Sequence, residues 1–471
     1  MNENIFDKLD FGPFKPLLDN DDITDISYCN GGQIWIRSLE QGSMHVQIQG
    51  ATPEFVERLA FQCSNVMGTT FNNAKPFLDA ESAELRLNFV HPTIATNGIA
   101  LVIRKTPAKI RLQKEKLIQD DYFTNEIHDF LMKCVLGHCN IMVAGETGSG
   151  KTEFVKYLAS HTEPKEKIIT IEDTLELHLD KIFPQRDIVA MKTNNVASYT
   201  DVLVTCMRQN PKWILLSEVR SAEAVSAVRN SISSGHNILS TIHADKASAI
   251  PYRLYSLMET DLDVNQFLNT IYRYIQLGIH IKAFYSKKYG KFHRELDEVT
   301  EFYVDENNNP VTHTIYRKTL ADNGIMVKPS EHLIEYLENQ NINVHPIIDG
   351  LEDDFPIQSN ANIEYDNASD TKEHAEMPAL DNDDANKGKV KLEKSVVKNE
   401  QPAITNNVQV EQPAITSNVA EQPQATANTA PSITPVASNP VVTEAAPVVA
   451  QPVMTPVDNA NAAPNIARLS E

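Results

Sequence analysis

The sequence predicts an α/β protein: a smaller α+β N-terminal domain, an α/β domain of alternating strands and helices, and a long tail without a core. Three observations carry this reading. Apolar runs and amphipathic stretches alternate from roughly residue 116 to 340, as they do in domains built on a mostly parallel sheet. A glycine-rich run, GETGSGKT from Gly145 to Thr152, separates a strand-like stretch from a helix-like one. The composition changes near Gly350, beyond which Pro, Ala, Thr, Gln, Asn and Val dominate. The boundaries that follow are 1–110 for the N-terminal domain, 111–120 for a linker, 121–345 for the α/β domain and 346–471 for the tail.

In the N-terminal domain, "DISYCN-GG-QIWIR" is two alternating runs about a Gly-Gly, which predicts a hairpin. "PEFVERLAFQCSNVM" places apolar residues at helical spacing after a Thr-Pro start. In the α/β domain, "NIMVA" predicts a strand, and "TEFVKYLAS" a helix with Phe154, Val155 and Leu158 on one face. "KIITIEDTLEL", "WILLSEVR" and "NILSTIHAD" follow as further strands, and "EVTEFYVDENNNPVTHTIYRK" reads as a hairpin closed by Asn-rich turn residues. The tail repeats "EQPAITNNVQV", "EQPAITSNVA" and "EQPQATANTA" and holds too few large apolar residues to offset its ordering entropy, so disorder is expected. Its role is open between a passive extension and a tether or docking arm.

The 471 residues carry a net charge of −21, which argues against a broad nucleic-acid surface. The longest apolar runs fall far short of the roughly 20 residues that span a bilayer. "MNENIFDKLDFG" lacks the basic start and apolar core of a signal peptide. Cys29, Cys63, Cys134, Cys139 and Cys206 form neither a CxxC pair nor a zinc spacing. A cytoplasmic location is expected.

The run GETGSGKT matches the G-x-x-x-x-G-K-[ST] pattern of a phosphate-binding loop. Gly145, Gly148 and Gly150 allow a tight loop, in which the N–H groups of Glu146, Thr147, Ser149 and their neighbours face phosphate oxygens. Lys151 reaches the outer phosphates, and the Thr152 hydroxyl can ligate Mg²⁺. In a parallel sheet, ligands sit at the carboxyl ends of the strands. Three later strands end at Glu172 and Asp173, at Ser217, Glu218 and Arg220, and at His243. Hydrolysis needs a polarised water and charge compensation. Glu218 is expected to polarise water and to meet Mg²⁺ through water. Glu172 supports it or holds the metal through water, and His243 senses phosphate. Asp173 can serve equally as a helix cap.

In order, "GETGSGKT", "TIEDTLEL", "ILLSEVR" and "SSGHNILSTIHAD" resemble the Walker A, Asp box, Walker B and His box of the bacterial traffic ATPases. "PLLDNDDITDISYCNGGQIWI" and "ALVIRKTP" resemble that family's N-domain, so the resemblance covers roughly residues 17–257. Ile103, Arg104 and Lys105 favour the branch of conjugation, type IV secretion and tight-adherence pili, and no tetracysteine module is present. The resemblance implies a homohexameric ring, a RecA-like ATPase domain binding Mg-ATP, and catalytic Glu218 and Glu172. It also implies nucleotide contacts from Arg86 and Arg104, a family position at Arg220, and work on a membrane-embedded machine from the cytoplasmic face. Ser217 departs from the Asp that many P-loop enzymes carry before the catalytic Glu. Metal charge compensation must then come from the glutamates. Two other functions stay in view: a nucleic-acid motor and a non-hydrolysing nucleotide switch.

Overall fold

The computed structural model describes residue 6 and residues 9–356, apart from 83, 195, 259–262 and 320–321. The repeats of the tail lie outside the described residues. Among the described residues, no helix is long and apolar enough to cross a membrane.

The N-terminal domain is a six-stranded sheet with a helix on one face. Its strands are β1 (Ile23–Cys29), β2 (Gln33–Ser38), β3 (Gly42–Val46), β4 (Phe77–Glu81), β5 (Leu85–Val90) and β6 (Ala100–Lys105), in the order β3-β2-β1-β6-β5-β4. The expected first hairpin forms because Asn30 and Gly31 take left-handed backbone, φ +49° and +72°. The helix Pro53–Val66 starts where Thr52 accepts a hydrogen bond from the Phe55 N–H at 3.3 Å. It buries Phe55, Val56 and Leu59 against Ile26, Ile34, Leu87 and Phe89.

The opposite face of this sheet carries a row of charges. Cross-strand pairing places Arg37, Asp25, Arg104, Arg86 and Glu81 side by side on β2, β1, β6, β5 and β4. Period-two alternation puts all five on one face while their neighbours enter the core. This row faces the second domain.

The second domain is a nine-stranded sheet with apolar layers on both faces. Its strands are β7 (Ile141–Gly145), β8 (Ile168–Glu172), β9 (Ile188–Lys192), β10 (Trp213–Val219), β11 (Asn237–Ile242), β12 (Leu277–Ser286), β13 (Lys291–Val304), β14 (Pro310–Thr319) and β15 (Asp322–Met326). The order is β15-β14-β13-β12-β7-β11-β10-β8-β9. From β12 to β9 the neighbours are parallel, and β12 to β15 form antiparallel hairpins. The central strands are buried on both faces, so they read as continuous apolar runs rather than alternating ones.

Two expectations about boundaries change. The segment 111–120 contains a helix, Lys114–Gln119, whose Leu117 is buried in the core of the second domain. The fold also continues past residue 345. His345–Ile348 form a short helix, Val344 and Ile348 enter the core, and the Lys328 N–H donates to the Glu352 carbonyl at 2.8 Å. Residues 344–352, VHPIIDGLE, are rich in aliphatic side chains, which pack against the helix Asn125–Leu136 and its neighbours.

Candidate active site

The run Gly145–Thr152 joins β7 to the helix Lys151–Ser160, as the motif requires. Gly145, Gly148 and Gly150 have φ of +147°, +80° and +100°. At Gly145 the constraint is also spatial, because an added Cβ would lie 2.4 Å from the Ile281 carbonyl oxygen. Phe154, Val155 and Leu158 are buried and hold the helix on the sheet. The loop is ready for an anion. The Ser149 hydroxyl is buried without a hydrogen-bond partner. Lys151 is almost wholly buried and donates to the Gly145 and Glu146 carbonyls, both at 2.9 Å. Burial pulls its pKa down from 10.5 to about 8, against the opposing charges of Glu218, Glu176 and Glu146. A buried lysine nitrogen resting on carbonyl oxygens is one whose charged form a phosphate chain would favour.

The strand ends expected from sequence do converge. β7, β11, β10 and β8 are adjacent, so the phosphate loop, His243, Glu218 and Glu172 share one edge. Glu218 sits at a bulge in β10: three steps from Leu216 to Val219 match only two on β11. The displaced carbonyls of Leu216 and Ser217 accept hydrogen bonds from the hydroxyls of Ser240 and Thr241, at 2.8 and 2.6 Å. This fixes the bulge and aims Glu218 along the edge. His243 Nε2 lies 2.8 Å from Glu218 Oε1, and His243 Nδ1 lies 3.5 Å from Lys151 Nζ.

Glu172 takes a different place from the one expected of it. It is wholly buried, and its carboxylate accepts the N–H groups of Glu176 and Leu177, at 2.8 and 3.0 Å, and the Thr170 hydroxyl at 3.1 Å. Burial raises its pKa from 4.5 to about 7 despite these hydrogen bonds. Oε2 shapes the loop that follows β8, and Oε1 is held by Thr170 within the strand. The carboxylate that reaches the phosphate loop is Glu176, whose Oε2 accepts from the Thr152 hydroxyl at 3.2 Å. Sequence reasoning passed over Glu176. The signal available was its position four residues after Glu172 in "IEDTLEL".

The charged row of the N-terminal sheet closes over this edge. Arg86 Nη1 donates to Glu176 Oε1 at 3.1 Å, and Nη2 to the Thr174 hydroxyl at 3.0 Å. Glu81 accepts from the Leu175 N–H at 3.1 Å and pairs with Lys192. Arg104 lines the cleft but is held by Asp25 at 2.9 Å, and Arg220 pairs with Asp173 beside the site. Arg86 and Arg104 were expected at the nucleotide and Arg220 at a family position, and the structure gives each of the three an acidic partner. Between the row, the linker and the phosphate loop lies a cleft of about 350 Å³.

The oxygen donors of Thr152, Glu176 and Glu218 suit a hard cation such as Mg²⁺. Among the described residues, no group of three or more His, Cys, Asp or Glu could hold a metal by itself.

The family model described as Type II/IV secretion system protein matches residues 74–322, more than half of the chain. The chain belongs to that family. It is 30% identical over 269 residues to an uncharacterized protein of Bacillus anthracis, covering 56% of this chain and 60% of the relative. It is 33% identical over 196 residues to the type IV secretion system protein VirB11 of Bartonella quintana, covering 39% of this chain and 51% of that one. The chain thus spans between half and two thirds of the length of these two relatives. Among solved structures it is similar to the VirB11 ATPase from the Brucella suis type IV secretion system, with 23% identity and a TM-score of 0.32. That match covers 61% of this chain and 92% of the solved one.

Proposed function

We propose that this chain binds and hydrolyses Mg-ATP at Gly145–Thr152. We further propose that movement of its N-terminal sheet domain against the ATPase domain that follows it drives a secretion, conjugation or pilus machine. It acts as a homohexameric ring, peripheral at the cytoplasmic face of the membrane. The observation that carries this reading is the line Glu218–His243–Lys151, which runs from a water-polarising carboxylate to the phosphate-binding ammonium at the end of adjacent strands.

Each residue has a defined task. The loop N–H groups and Lys151 bind the phosphates. Glu218 orients and polarises the attacking water. His243 keeps Glu218 in place and links it to Lys151, so the catalytic carboxylate responds to what the ammonium holds. Bound at Thr152, with Glu176 and Glu218 near, Mg²⁺ would neutralise phosphate charge. Glu172 acts indirectly, by fixing the backbone that presents Glu176. Arg104 serves its own chain's site: its sheet already lies over that chain's phosphate loop, and nucleotide charge competes with Asp25 for it.

Phosphate release is the direct test. Lys151→Ala abolishes hydrolysis and weakens binding, because it removes the cation at the phosphates. Glu218→Gln binds ATP but turns over at least about a hundredfold more slowly. Near-normal release by Glu218→Gln with saturating Mg-ATP would remove the catalytic assignment.

A further inference from the structure

We infer that Arg37, Arg111 and Arg294 form a polyphosphate-binding subsite on the N-domain side of the phosphate loop. The inference rests on the reading of that loop as a nucleotide site, and goes beyond it by assigning three guanidinium groups from three separate elements.

Arg37 lies near the end of β2, Arg111 in the connection before the helix Lys114–Gln119, and Arg294 in β13. All three line the cleft together with Gly148 and Gly150. An added Cβ on Gly148 would fall 2.5 Å from Arg37 Nη1. On Gly150 it would meet Arg294 Cδ at 3.6 Å and Nε at 4.0 Å. The absence of a side chain at Gly148 therefore lets the Arg37 guanidinium settle onto the loop, and Arg294 lies in ordinary contact range beside Gly150. Arg294 Nη1 donates to the Leu39 carbonyl at 3.0 Å, and its guanidinium lies 4.9 Å from the centre of the Phe292 ring. That bond ties β13 to the segment just after Arg37, so the two arginines are positioned as a unit.

These three differ from the other arginines of the site. Arg86, Arg104 and Arg220 each hold a carboxylate. Among the described residues, Arg37, Arg111 and Arg294 form no ion pair, although Asp25, Glu40, Asp120, Glu153 and Glu176 line the same cleft. Arg111 Nε and Nη2 are buried with no hydrogen-bond partner. Burial lowers the pKa of Arg294, and the positive charges of Arg37 and Arg111 lower it further, against raising influences from Tyr122 and Asp22. Like charges gathered in a half-buried cleft destabilise the fold unless an anion joins them. Planar guanidiniums match phosphate oxygens with two parallel hydrogen bonds. The Ser149 hydroxyl, buried and unpartnered in the same loop, adds a neutral donor. A neutral nucleobase would leave the charges uncompensated, so the occupant is the phosphate chain.

The test uses the full-length protein and inorganic tripolyphosphate, read by displacement of a fluorescent ATP analogue and by the ligand-induced rise in melting temperature. Arg37→Ala and Arg111→Ala each weaken tripolyphosphate binding about tenfold, as expected for one charge-assisted contact. The salt dependence of binding becomes shallower, and the ligand-free melting temperature holds or rises because a repulsion is gone. Arg37→Gln and Arg111→Gln serve in place of any alanine variant that unfolds, with the same outcomes. If these variants bind within twofold of wild type while Lys151→Ala has lost binding, the subsite is wrong and the nucleotide reading stands. If Lys151→Ala also binds normally, both fall.

Discussion

Arg86 of the N-terminal sheet and Glu176 of the second domain meet at 3.1 Å, and the same carboxylate accepts from Thr152 at 3.2 Å. One acidic side chain thus touches both the residue that would ligate Mg²⁺ and the domain proposed to move. Were Thr152 to turn to a metal, Glu176 Oε2 would lose that hydrogen bond, and the carboxylate that Arg86 holds through Oε1 could shift with it.

Two variants isolate this contact. Glu176→Gln lowers hydrolysis about 10–100-fold, the usual effect of removing a supporting group beside a metal ligand. Arg86→Ala speeds amide hydrogen exchange at residues 173–177 without ATP, because it unpins the loop from the N-terminal sheet. Wild-type turnover in the first and wild-type exchange in the second would refute the coupling.

Lys151 gives a proton signature. Its pKa in the ligand-free fold is about 8 rather than 10.5, so near pH 8.5 most of the molecules hold it neutral. Phosphate binding favours the ammonium and raises that value. ATP binding at pH 8.5 is therefore accompanied by uptake of roughly half a proton or more, which fades towards pH 7, where the lysine is already charged. Calorimetry in two buffers of different ionisation enthalpy measures it, and uptake that does not change between pH 7 and 8.5 contradicts the assignment.

Glu172 makes the ligand-free fold pH-sensitive in a definite direction. Burial raises its pKa from 4.5 to about 7, so the protonated form is favoured in the folded state. Its contribution to stability is complete below pH 4.5 and is lost as the pH rises through about 7. Glu172→Gln keeps an oxygen for the Glu176 and Leu177 N–H groups and removes the ionisation. Denaturant midpoints of this variant fall less between pH 5 and 8 than those of wild type. Parallel pH profiles would show that Glu172 is not the source.

Truncation locates the end of the fold. Removing everything after Pro356 leaves the denaturation midpoint and ATPase rate near those of the full chain. Removing everything from Val344 onward also deletes Val344 and Ile348, both core residues, and costs about 2–5 kcal/mol. Equal stability of the two truncations would place the boundary where the composition alone put it.

Sequence alone determined the phosphate loop, the strands that end at Glu172, Glu218 and His243, and the hairpins about Gly31–Gly32 and at the Asn-rich run before Pro310. These depend on local rules: glycine where φ must be positive, buried parallel strands as apolar runs, turn residues between alternating stretches. Tertiary structure alone decided which charges meet. Glu172 and Glu176 are four residues apart with the same side chain, yet one is buried as a brace for its loop and the other reaches Thr152. Arg104 was legible as a strand-end arginine, but its pairing with Asp25 depends on strand register between segments 79 residues apart. Arg37, Arg111 and Arg294 meet across more than 250 positions, with no local pattern to announce them. Motifs record what the backbone needs nearby. Electrostatic partnership falls off with distance in space, which only the folded chain defines.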